Sequence, residues 1–128
     1  MTKTYSPEAV APPFSNYVHA VEAPGNARWL YVSGQLGVAR DGSVPADFIG
    51  QAEQAFGNVI AILEEAGMTV TDIVRVNTYL TDTADIGDYR GIRDRMLNNH
   101  ATASTMLVIS ALAAPQFKIE IEVVAAKP

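Results

Sequence analysis

The chain has 128 residues, 48% hydrophobic and 18% charged, too apolar for intrinsic disorder and long enough for one domain that buries about 67% of its unfolded surface. Nine basic residues against 14 acidic ones leave a net charge of −5 with no basic run, which argues against nucleic-acid and anionic-membrane partners. With no cysteine and only His19 and His100, disulfides, thiolate chemistry and a multi-histidine zinc site are excluded.

Residues 1–13, ending at Pro12-Pro13, read as an extended arm of this single domain, 1–128. They are polar and Pro-rich, without the basic start and apolar run of a secretory peptide. No apolar stretch is long enough to span a bilayer, so a cytoplasmic location is expected. Residues 17–22 alternate and carry β-branched side chains, which predicts a first strand. Pro24-Gly25-Asn26 marks a turn, and Arg28 to Ser33 predicts a second strand paired with the first as a hairpin.

From Ala46 to Ala66 the apolar period becomes helical, and Gly67 sits where a left-handed C-terminal residue is wanted. Residues 72–81 predict a strand. Asp85 is positioned to cap a second helix, Ile86 to Leu97, with Tyr89, Ile92, Arg93, Met96 and Leu97 inward. Residues 104–111 predict a buried strand, broken at Pro115. Phe117 to Val124 alternates strictly, with Lys118, Glu120 and Glu122 opposite Phe117, Ile119, Ile121 and Val123.

The order β-β-α-β-α-β-β describes an α+β sandwich, two helices covering one face of a mixed sheet with hairpins on either side. The other sheet face combines polar and apolar side chains. It is too apolar for water and too polar for a core, which points to packing against further subunits.

Seven short segments, in this order and spacing, resemble one family: Tyr31-Val32-Ser33-Gly34-Gln35, Val44-Pro45-Ala46-Asp47, Gln51-Ala52, Asn58-Val59, Ala61 to Gly67, Asp72-Ile73-Val74 and Lys118 to Glu122. That family is the Rid family, also called YjgF/YER057c/UK114, and the resemblance runs from about Tyr17 to Ala125. It implies a chorismate-mutase-like fold, a homotrimer whose sheets form a central barrel, and ligand clefts between subunits. It also implies hydrolysis of reactive enamines and imines to 2-ketoacids and ammonia, without metal or cofactor.

By position, the resemblance assigns Tyr17, Ser33 and Gly34 to the substrate pocket and Glu120 to the catalytic carboxylate. The family's deaminase arginine falls on Thr105, in Ala103-Ser104-Thr105-Met106, and Leu107 replaces a small polar residue or cysteine. Threonine offers one hydroxyl and no charge where arginine forms a bidentate, charge-assisted pair. The chain thus resembles a divergent member, one lacking the deaminase arginine. Arg90 matches a pocket-lining position on the second helix and could supply the missing cation; the plainer reading pairs it with Asp94 at i,i+4. Ser33 lacks the histidine and acid of a nucleophilic triad, and His19 shares the face of Tyr17.

Two functions follow as expectations. One is a cofactor-free hydrolase of a small imine, enamine or amino-conjugated carboxylic acid, favoured by Glu120. The other is a non-catalytic protein binding a small carboxylate in the same cleft, favoured by Thr105. A ribonuclease reading, attached to parts of this family, sits poorly with the acidic balance.

Overall fold

A computed structural model of the chain describes residues 2–128. Its strands are β1 (Lys3–Tyr5), β2 (Ala20–Glu22), β3 (Arg28–Leu36), β4 (Ile73–Leu80), β5 (Ala103–Val108) and β6 (Ile119–Lys127). Its helices are α1 (Phe48–Glu65) and α2 (Ile86–Met96). Four strands make a mixed sheet in the order β3-β6-β4-β5, antiparallel except for β4 and β5. The helices cover one side of it, so the expected α+β architecture is observed.

The strand pairing differs from the sequence expectation at both hairpins. β2 is only three residues long and pairs with β1, so the expected partner of β3 is absent and the arm carries a strand of its own. Strand β3 pairs instead with β6. Strand β5 does not turn back onto β6 either; it lies parallel to β4 at the sheet edge, and α2 provides the crossover that a parallel pair requires. The reason is burial. Ile119, Ile121, Val123 and Ala125 of β6 are at most 3% exposed, and the central position between β3 and β4 is the one that shields them. β5, expected to be buried, is half-exposed to exposed and ends at Val108.

Helix α1 begins where the Asp47 carboxylate accepts the Gly50 N–H at 3.3 Å. It buries Ala52, Ala55, Phe56, Val59 and Leu63, one stripe at helical spacing, and Gly67 closes it at φ +72°. Gln51 also lies on this stripe. Its amide donates to Pro45 O and Gln116 O and accepts from Lys118 N, each at 2.9 Å, which pins α1 to the segment entering β6. In α2, Tyr89, Ile92 and Arg93 face inward as expected, and the Tyr89 hydroxyl meets Thr78 Oγ1 of β4 at 2.6 Å, joining helix to sheet. Asp85 stands at the N-cap but its side chain makes no capping bond.

Candidate functional site

The sheet face away from the helices is built by alternation. Burying Val76, Thr78 and Leu80 under the helices turns Arg75, Asn77 and Tyr79 outward; burying Ile119, Ile121 and Val123 does the same for Glu120, Glu122 and Val124. The register sets Asn77 between Glu122 and Thr105 and Tyr79 between Glu120 and Leu107. Tyr31 of β3 lies opposite Val124.

Hydrogen bonds tie the middle of this face together. Arg75 Nε donates to Asn77 Oδ1 at 3.1 Å, and Asn77 Nδ2 donates to Glu122 Oε1 at 3.3 Å. The Tyr79 hydroxyl donates to the same Oε1 at 2.7 Å. That bond, then burial and the negative charges of Glu122 and Glu120, push the Tyr79 hydroxyl above the usual phenol range; Arg75 opposes them. A recess of about 330 Å³ opens here, lined by Tyr31, Ser33, Arg75, Asn77 and Glu122 among others.

Three of the residues expected from the sequence meet beside it. Ser33 is exposed and lines the recess. Gly34 follows where β3 shifts register against β6, and the Glu120 carboxylate lies over its Cα. A Cβ on residue 34 would come 2.7 Å from the Glu120 carboxyl carbon and overlap Oε2 outright. Only glycine lets the carboxylate rest there. Thr105 is exposed on the same face but on the edge strand, separated from the Glu122 strand by Asn77.

Tyr17 and Arg90 lie elsewhere. They line a smaller recess, about 150 Å³, on the helix side of β5, together with Phe14, Arg93 and Ser104. The Tyr17 hydroxyl accepts the Phe14 N–H at 3.2 Å, and its ring meets His19 edge-on at 6.0 Å. Asp94, offered to Arg90 by helical spacing, turns instead to Arg93, whose Nε donates to it at 3.1 Å. Arg93 is 5% exposed and sits 5.7 Å from the Tyr89 ring centre; its Nη2 approaches Asp94 without hydrogen-bond geometry and has no other partner among the described residues. One protomer therefore presents two groups, Ser33, Gly34 and Glu120 with Thr105 on one side of β5, and Tyr17 with Arg90 on the other.

Sequence reasoning did not single out Arg75, Asn77 or Tyr79. The signal was present: Arg75, Asn77 and Tyr79 alternate with Val74, Val76, Thr78 and Leu80. Among the described residues, no helix is long and apolar enough to cross a membrane.

Fold and site together define a small α+β protein with a one-sided helical layer and a bare polar sheet face that holds a positioned carboxylate. Residues 8–127 match the family model described as endoribonuclease L-PSP. The chain is 36% identical over 126 residues to a RutC family protein of Pasteurella multocida, covering 95% of this chain and 92% of that one. It is 34% identical over 130 residues to the 2-iminobutanoate/2-iminopropanoate deaminase of Escherichia coli K12, covering 99% of each. A Rid-family protein of unknown function from Yersinia pestis has the same fold, with a TM-score of 0.90, 27% identity and 98% of each chain covered. This chain belongs to the Rid family, the family of the endoribonuclease L-PSP model.

Proposed function

We propose that this protein is a Rid-like, cofactor-free hydrolase of a small imine, enamine or amino-conjugated carboxylic acid, working in clefts between the subunits of a homotrimer. The observation that carries this reading is the Glu120 carboxylate lodged over Gly34 at the edge of the polar face. A carboxylate so held can take a proton from water as its oxygen adds to an imine carbon and pass that proton to the nitrogen; the carbinolamine formed then gives its hydroxyl proton, again by way of the carboxylate, to the nitrogen as the carbon–nitrogen bond breaks, leaving a 2-ketoacid and ammonia. Ser33 and the Gly34 backbone flank the same place. The relative named 2-iminobutanoate/2-iminopropanoate deaminase supports the reaction class.

The trimer is supported by the bare sheet face. Tyr31 and Trp29 of β3 are 75% and 53% exposed, and Leu107 of the edge strand is 49% exposed. Apolar surface of this extent asks for cover. Subunit contact would also let Tyr17 and Arg90 of one protomer complete a cleft that the Glu120 side of another begins. In this reading Arg90 and Tyr17 bind substrate, Thr105 lines the cleft, no metal takes part, and the protein works in the cytoplasm.

The second reading, a non-catalytic small-carboxylate binder, is favoured by Thr105, an exposed hydroxyl where the family resemblance places an arginine. Generating 2-iminopropanoate in the presence of the protein and following ketoacid release separates the two. The parent should accelerate release, and Glu120→Gln should abolish the acceleration while keeping small-carboxylate binding. Equal rates for parent and variant would overturn the hydrolase reading.

A further inference from the structure

We infer that the recess between Tyr17, Arg90 and Arg93 is a binding site for a phosphate group, either free or carried as a monoester. The inference rests on the proposed function in giving this wall to the ligand cleft, and deepens it by naming the anion the wall is built to hold.

The donors are uncommitted. Arg93 is 5% exposed, yet neither of its Nη nitrogens makes a hydrogen bond among the described residues. Asp94 takes its Nε at 3.1 Å and is shared with Asn16 Nδ2 at 3.3 Å, and the Tyr89 ring centre lies 5.7 Å from the guanidinium carbon. These contacts fix the guanidinium and leave its outer end unfilled. A buried cation held this way is costly until an acceptor meets it. Arg90, one helical turn earlier on α2, is exposed and makes no hydrogen bond or ion pair among the described residues. The Tyr17 hydroxyl accepts the Phe14 N–H at 3.2 Å, so its own proton is available to a ligand. Ser15 and Ser104 also line the recess, and no carboxylate is among the residues lining it.

The arrangement favours phosphate over a simple carboxylate. Donors reach the recess from three directions: α2 with its two arginines, the segment before β2 with Tyr17, and β5 with Ser104. A carboxylate turns two oxygens in one plane and carries one charge. A phosphate monoester turns three oxygens apart and carries about −1.5 to −2 charges near neutrality, so it meets donors on three sides and two guanidiniums at once. At about 150 Å³ the recess is well below the roughly 300 Å³ at which pockets for whole small molecules begin. It holds one group of a ligand, and the remainder of an ester leaves past Phe14, which lines the recess and is 86% exposed. Because Tyr17 and Arg90 also serve the substrate carboxylate in the proposed function, a phosphate-bearing ligand displaces it.

Calorimetry on the full-length protein at constant ionic strength tests the inference, with inorganic phosphate, methyl phosphate and acetate as probes and no imine present. Phosphate and methyl phosphate should bind at least about tenfold more tightly than acetate, and the tighter of the two shows whether the free anion or the ester is preferred. Arg90→Gln and Arg93→Gln should each bring both to within about threefold of acetate, and Arg93→Lys should keep part of the preference. Arg40→Gln, which removes an exposed cation outside the recess, should leave it unchanged. Circular dichroism checks the fold of each variant; if buried Arg93 cannot be replaced without unfolding, exposed Arg90→Gln decides. Phosphate binding no tighter than acetate, undetectable phosphate binding, a preference that survives Arg90→Gln, or an equal loss in Arg40→Gln would each overturn the inference. Phosphate preference without ketoacid release from 2-iminopropanoate would support it and count against the proposed reaction alone.

Discussion

Replacing Gly34 by alanine moves one catalytic group without removing it. The added Cβ would stand 2.7 Å from the Glu120 carboxyl carbon, where ordinary contact begins at 3.4 Å. The carboxyl carbon must retreat by about 0.7 Å and the overlapping Oε2 further, roughly 1 Å or more, and a displacement of about 1 Å at a reacting centre can cost on the order of 100-fold in rate. The fold should hardly notice. The obstructing group is the far end of a flexible side chain, and alanine loses less backbone freedom on folding than glycine, so stability should change by about 1 kcal/mol or less. Ketoacid release from 2-iminopropanoate, with a urea unfolding curve on the same preparation, reads both effects. The expected result is a rate lowered on the order of 100-fold with an almost unchanged unfolding midpoint. A Gly34→Ala protein as active as the parent would show that the position of the Glu120 carboxylate does not matter to the reaction.

Other substitutions probe other parts of the argument. Thr105→Arg should raise hydrolysis at least tenfold over the parent if a guanidinium at this position grips the substrate carboxylate; no gain would mean that the altered pocket does not use that position. Gln51→Met should cost about 2 kcal/mol or more in a denaturant titration, since it removes the partner of Pro45 O, Gln116 O and Lys118 N at a side chain that is itself 1% exposed; a loss below about 1 kcal/mol would show that these groups find other partners. Burial pushes the Tyr89 hydroxyl above its ordinary pKa of 10.0, against the opposing effects of Thr78 and Arg93. The stability linked to its protonated form is therefore complete below that value and disappears as pH rises through the higher folded one. Tyr89→Phe should lower stability near neutrality by about 1–2 kcal/mol by orphaning Thr78, yet flatten the alkaline fall measured by thermal unfolding. An identical alkaline slope in both proteins would place the titration elsewhere. Light scattering should report three times the chain mass, and a monomer would remove the subunit cleft.

Local patterning was enough to locate both helices and the core strands. The stripe from Phe48 to Leu63, the Gly67 terminus and the strict alternation of Ile119, Ile121 and Val123 against Glu120 and Glu122 are short-range signals, because each depends only on the period of one element. Glu120 on an outward strand position was legible for the same reason, whereas Ser33 and Gly34 came from the family resemblance. Which strands pair was not. A hairpin between residues 17–22 and β3 satisfied every local rule, yet β6 takes that place because its four buried apolar side chains need cover from strands on both edges. Nor could spacing reveal that Gly34 leaves space for the Glu120 carboxylate, that Asp94 turns to Arg93 and leaves Arg90, or that Arg75 reaches Glu122 through Asn77. Those contacts join residues up to 86 positions apart in the numbered chain. A periodic pattern states which way a side chain faces; only the packed sheet decides what it faces.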